Sequence, residues 1–295
     1  MNRRKLIICA SVLVFFVALG ITLYPIVANQ YSTAHQSQIY TQYQQELETA
    51  DSARLSAAAK RAAEYNAALY SLARQDGSFS ENAITQAEVD YAEQLNLTGS
   101  GIMGYVQIPE LGVKLPIYHG TAEATLDKGI GHLLGSSLPI GGESTHAVLT
   151  GHSGMASQVM FSDLSQLQIG DIFYLDILNE HLTYQVDQIK TVLPNDTTYL
   201  GITQGADYCT LVTCTPFGVN THRLLVRGSR ISGNSEGDEI TVESPEAELP
   251  VSIWEQQYLN GIYWGLSLIA IVLTGALATL YVKRHRKGNG GKYER

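Results

Sequence analysis

The feature that most constrains this chain is a pair of uncharged apolar segments at its two ends. LIICASVLVFFVALGITLYPIVA runs from Leu6 to Ala28, and IYWGLSLIAIVLTGALATLYV runs from Ile262 to Val282; neither contains a charged side chain. Helices of this length match the hydrocarbon thickness of a bilayer, so each is expected to span a membrane. Basic residues cluster beyond both: Arg3, Arg4 and Lys5 at one tip, and Lys283, Arg284, Arg286, Lys287, Lys292 and Arg295 at the other. Loops rich in Lys and Arg stay on the cytoplasmic side, so both tips, residues 1–5 and 283–295, are expected inside and the intervening chain outside. A cleaved signal peptide is the rival for residues 6–28, but the apolar run is longer than the usual one. Either way the middle of the chain is expected to be extracytoplasmic.

That middle carries ten basic against 27 acidic residues, a formal charge of −17. Binding to nucleic acid depends on clustered Lys and Arg, and the excess of carboxylates excludes that class of partner. Of three cysteines, Cys9 falls in the first apolar segment, leaving Cys209 and Cys214 outside. Five residues apart on one predicted strand, they are too close to pair without bending it, so no disulfide framework is expected. No His, Cys or carboxylate set has metal-ligand spacing, and no cofactor is expected.

Residues 31–74 lack Gly and Pro and place Leu55, Ala59, Ala62, Ala63 and Tyr70 near helical spacing, which predicts one or two amphipathic helices within a region 30–100. QDGSFSENA, residues 75–83, carries the turn dipeptide Asp76-Gly77 and reads as a loop. From Gly101 the pattern changes to short β-rich runs punctuated by turn residues: MGYVQI, GVKLPIYH, HAVLTGH, DIFYLDIL, HLTYQVDQIKTVLP, CTLVTC and RLLVRGSRI, with one helical patch near Thr121 to Gly129. Seven or eight such runs predict a small β-barrel or sandwich over 101–231. Residues 232–258, rich in Gly, Ser, Glu and Pro, read as a solvated linker.

Three polar residues sit at predicted strand ends: His152 in TGHSG, Cys214 closing CTLVTC, and Arg223 opening RLLVRG. In an antiparallel barrel such ends would meet on one rim, although 62 residues separate His152 from Cys214. A thiol beside a cation is held more readily as the attacking thiolate. An imidazole can pass a proton to a leaving amine, and a guanidinium can donate to a developing oxyanion. The trio suits acyl transfer through a thioester. His222 competes as the base, but its neighbour Arg223 points to the opposite strand face. His119, His132 and His146 stand in turn-like contexts and read as ordinary loop residues. By the same alternation Cys209 faces away from Cys214 and reads as core. For each of the three selected residues the bland alternative is packing or surface charge.

The stretch TLVTCTPFGVNTHRLLVRGSR, with VLTGHSG, IPELGVKLPIYHGT and GIGHLLGSSLPIGG, resembles the class C sortases, the pilin-polymerising group of Gram-positive bacteria, from about Met103 to Ile231. The resemblance implies an eight-stranded sortase-type β-barrel and a cysteine transpeptidase. It places the nucleophile on Cys214, the histidine on His152 and the arginine on Arg223. It implies cleavage of a Leu-Pro-x-Thr-Gly (LPxTG)-like sorting signal between Thr and Gly, and transfer of the acyl group to a lysine amine of another pilin subunit. A C-terminal membrane span accords with that group. Many members also cover the cleft with a lid carrying an Asp-Pro-aromatic motif, which this chain lacks; Asp76 and Phe79 are the residues available for those parts. Anchoring to cell-wall peptidoglycan, thioester hydrolysis by water, and a non-enzymatic membrane-tethered β-domain are the alternatives.

Overall fold

A computed structural model describes residues 3–76, 91–97, 99–153, 158–231 and 258–267. It divides into two units, Met1–Ser252 and Ile253–Arg295. The second is described only as a helix over residues 258–267, so most of the expected span 262–282 and all of the basic tail lie outside the described residues. Among the described residues no helix is long and apolar enough to cross a membrane.

The first unit opens with two helices, α1 (Arg3–Thr49) and α2 (Ser52–Asp76). The expected span 6–28 and the first amphipathic segment are therefore one continuous helix. Its two parts meet different surroundings: Leu13, Phe15, Phe16 and Tyr31 are exposed, while Tyr43 and Leu47 pack with Ile102 and Tyr105 on the domain. Along α2 the buried positions are Ala58, Ala62, Asn66 and Leu69, a three-to-four residue period. Of the residues that fall near helical spacing in the sequence, Ala62 is buried, Leu55 and Tyr70 are half-buried, and Ala59 and Ala63 are exposed. The inner stripe includes a polar residue, Asn66, whose side-chain amide donates to Leu138 O at 3.1 Å and accepts from Leu138 N–H at 2.7 Å. This reciprocal pair docks α2 on a loop of the domain, and a hydrophobicity pattern could not register it. The helix also runs through Gln75 and Asp76, two residues into the segment read as a loop.

Eight strands follow: β1 (Ile102–Ile108), β2 (Val113–His119), β3 (Ile130–His132), β4 (Thr145–Thr150), β5 (Ile172–Ile177), β6 (Glu180–Val192), β7 (Asp207–Thr215) and β8 (His222–Arg230). They close into a barrel in the order β1-β2-β3-β4-β7-β8-β6-β5. A one-turn helix, α3 (Glu123–Leu126), lies between β2 and β3. Local chemistry sets the tight connections. Pro109–Leu111 forms a 3-10 turn after β1, closed by Gly112 at φ 63°, a conformation that costs a glycine little. Between β5 and β6, Leu178 and Asn179 both take positive φ, the two-residue hairpin form that matches strand twist.

Two pairings depart from the antiparallel barrel expected from sequence: β2 with β3 and β4 with β7 run parallel. Strand β3 is only three residues long, with Gly131 at its centre and Gly129 just before it, so no run of apolar residues announces it. His132 and His146, read as loop residues, instead lie in β3 and β4 with 0 % and 1 % exposure. Burial holds both imidazoles below their usual pKa, His132 at about 4. His132 Nδ1 meets the Tyr91 hydroxyl at 2.8 Å and Nε2 meets Ser137 O at 2.8 Å. Both rings are interior hydrogen-bonding members of the fold.

Candidate active site

Strand pairing decides what the three candidate residues can do together. In the antiparallel β7–β8 ladder Cys214 stands opposite Arg223, and residues directly opposite project to the same face. In the parallel β4–β7 ladder every pair from Thr145 with Asp207 to Thr150 with Val212 is separated by 62 residues in sequence. The same separation holds between His152 and Cys214, so continuing the register two positions past β4 brings His152 level with the cysteine. On the far side, Arg223 is paired with Val192 at the end of β6. The row thus reads His152, Cys214, Arg223 and Val192 across four neighbouring strands. The parallel pairing makes this possible, because β4 and β7 then end at the same rim.

Hydrogen bonds keep the register beyond the end of β4. Gly151 N–H donates to Val212 O at 3.0 Å, and the Thr213 hydroxyl donates to Gly151 O at 2.8 Å. The Ser153 hydroxyl donates to Cys214 O at 2.8 Å. His152 O accepts from Phe161 N–H at 3.0 Å. Thr213 and Ser153 were not singled out from sequence; each is a hydroxyl residue adjacent to a candidate, the only signal that pointed to them. Gly151 is needed for space: a Cβ there would approach Ile130 Cδ1 to 2.6 Å and the Phe161 ring to 2.8 Å.

The three side chains are partly exposed, as reactive groups must be. His152 Nε2 lies 3.9 Å from Asp127 Oδ1. The Arg223 guanidinium turns back on its own loop, donating through one nitrogen to Asn220 O at 3.2 Å and His222 O at 3.0 Å. His222 pairs with Thr215 in the ladder, one position off the row, as alternation predicts. Beside the row, Val148, Val192, Val212, Leu200 and Leu225 form an apolar cluster. Val212 and Leu225 lie two residues from Cys214 and Arg223, so the cluster continues on the face that carries the row. Cys209, Leu211 and Val226 occupy the alternate positions at 0 % exposure, where burial pushes the Cys209 thiol well above its ordinary pKa. Both cysteines are free.

Beyond the row, the loop between β7 and β8 exposes Phe217 and Val219. Of the candidate lid residues, Asp76 closes α2 and Phe79 lies outside the described residues.

A closed eight-stranded barrel with a Cys, His and Arg row at one rim is the arrangement expected of a sortase, and comparison with known proteins agrees. Residues 106–231 match the family model described as the sortase domain. Sortase C1 from Streptococcus agalactiae is 48 % identical, with 67 % of this chain and 100 % of that one covered at a TM-score of 0.62. Sortase C of Clostridium perfringens, solved with the C-terminal cell wall sorting motif, is 39 % identical over 66 % of this chain and 99 % of its own, TM-score 0.58. Sortase C of Streptococcus pneumoniae, whose structure is described as informative on catalysis and pilin substrate specificity, is 40 % identical over 66 % and 97 %, TM-score 0.57. The chain belongs to the sortase family, within its class C, and is a cysteine transpeptidase.

Proposed function

We propose that this sortase polymerises pilins. Cys214 is the nucleophile, His152 the acid and base, and Arg223 the donor to the acyl oxygen. The observation that carries the assignment is the row itself: Cys214 is opposite Arg223 in one ladder and level with His152 when the register of the other is continued two residues past β4. In the first half-reaction Cys214 Sγ attacks the Thr carbonyl carbon of an LPxTG-like sorting signal. The carbon–nitrogen bond to Gly breaks, and His152 delivers a proton to the departing amine. Arg223, released from its own loop carbonyls, donates to the oxygen that gains charge. In the second half a lysine amine of the next pilin attacks the thioester, loses a proton to His152, and expels the thiolate. The product is an isopeptide bond.

The proposed substrate is supported by relatives solved with a sorting motif and described for pilin specificity. Membrane placement, with two spans and the barrel outside, is supported by the uncharged runs at 6–28 and 262–282, their basic flanks, and the exposed apolar side chains of α1. That placement sets the site among substrates still held in the bilayer, which favours a pilin lysine over a wall precursor as acceptor.

The test is intact-mass analysis of the full chain incubated with an LPxTG peptide, followed by sequencing of junctions made in cells. A thioester on Cys214 that disappears in Cys214→Ala, and junctions ending on a lysine side chain, are expected. Junctions to a peptidoglycan amine would replace pilin polymerisation with wall anchoring. An adduct that survives Cys214→Ala would overturn the assignment of the nucleophile.

A further inference from the structure

The row does not stop at His152. In the antiparallel β3–β4 ladder Gly131 pairs with Thr150 and His132 with Leu149. Continuing that register sets Gly129 level with His152, which leaves Asp127 two residues away, at the end of α3. Its Oδ1 is the carboxylate atom 3.9 Å from His152 Nε2, and it makes the only carboxylate contact to that ring among the described residues.

Asp127 is itself held. Its N–H donates to Glu123 O at 2.9 Å, closing α3. Its carbonyl accepts from the Gln158 side-chain amide at 3.1 Å, and Gln158 Oε1 in turn accepts from Gln36 of α1 at 3.1 Å. The backbone that carries the carboxylate is therefore held by α3 on one side and, through two glutamines, by the N-terminal helix on the other. No other contact of the Asp127 side chain competes with the imidazole among those described.

We infer that Asp127 is a positioning residue for the transpeptidation: its carboxylate orients the His152 imidazole and stabilises the imidazolium that gives its proton to the departing amine and is restored when the lysine amine is deprotonated. The inference rests on His152 being the acid and base of the reaction. A carboxylate facing one ring nitrogen fixes which nitrogen is turned to the row, and it offers a charge partner when the ring gains its second proton. The Asp127 side chain is 58 % exposed and that of His152 32 % exposed, so screening by solvent keeps the effect modest. No bond to substrate is assigned to it.

The experiment compares the wild type with Asp127→Asn, Asp127→Glu and His152→Ala, each as the full chain acting on an LPxTG peptide with an amine acceptor. Asp127→Asn keeps size and loses charge; kcat is expected to fall about two- to five-fold with KM unchanged. Asp127→Glu is expected to recover part of the loss. Raising the salt concentration should slow the wild type toward the Asn variant while leaving that variant almost insensitive, a response that loss of mere structural support would not give. Equal kcat in wild type and Asp127→Asn, with His152→Ala inactive, would overturn the inference and leave the proposed function standing. Full activity in His152→Ala would overturn both.

Discussion

Cys209 and Cys214 occupy one strand, five residues apart, and meet opposite chemical surroundings. Cys209 is sealed in the barrel with its thiol held protonated by burial, whereas Cys214 is partly exposed at the rim. Iodoacetamide at pH 8 is therefore expected to modify Cys214 in the folded chain and to spare Cys209 until denaturant is added. Peptide mapping checks this, and equal labelling of the two before unfolding would contradict it. This contrast was legible in the sequence, because strand alternation needs only the count between two residues. The identity of His152 among eight histidines was less so. Among the described residues His132 and His146 are the two most buried imidazoles, and nothing in their immediate neighbours distinguishes them from loop histidines. Their burial comes from pairings with Tyr91, Ser137, Gly201 and Thr210, partners between five and 64 residues away.

At the level of elements, the strands that alternate clearly, β5 above all, could be read directly, and β3 could not. Three residues with a glycine at the centre carry no period, yet β3 supplies both the parallel partner of β2 and the register that sets Asp127 near His152. The direction of β4 against β7 was likewise hidden, since strand patterns are the same whichever way a neighbour runs. Only the equal separation of 62 residues along the ladder reveals how His152 comes level with Cys214. The joint between β4 and its loop is correspondingly sensitive. Gly151→Ala would force the added methyl against Ile130 and Phe161 and push His152 off the row. A loss of about ten- to a hundred-fold in kcat is expected, with the barrel still folded by circular dichroism. Activity within two-fold of wild type would mean that the neighbours yield without moving the histidine.

For the whole molecule, the buried histidines couple folding to pH. His132 is held at about 4 in the folded chain against about 6.5 when unfolded, so above pH 6.5 both states leave it neutral and its contribution is constant. As pH falls from 6.5 toward 4, the unfolded chain takes up a proton that the folded chain refuses. Stability then declines with a slope approaching about 1.4 kcal/mol per pH unit. His146, lowered by burial, acts in the same direction. Asp207, raised by burial, binds its proton earlier when folded and opposes the trend above the ordinary carboxylate pKa. The urea midpoint of the full chain should fall between pH 6.5 and 4.5; a flat profile would show that these rings are protonated at little cost. The rim row carries one more consequence, for change over generations. Because its members are indexed by ladders, the mostly exposed stretch 193–199 can gain or lose length without shifting their register, while a single residue inserted between Thr210 and Thr213 would turn Cys214 to the face that Cys209 occupies. Families built this way are free to diversify in their loops while the spacing inside each strand stays frozen.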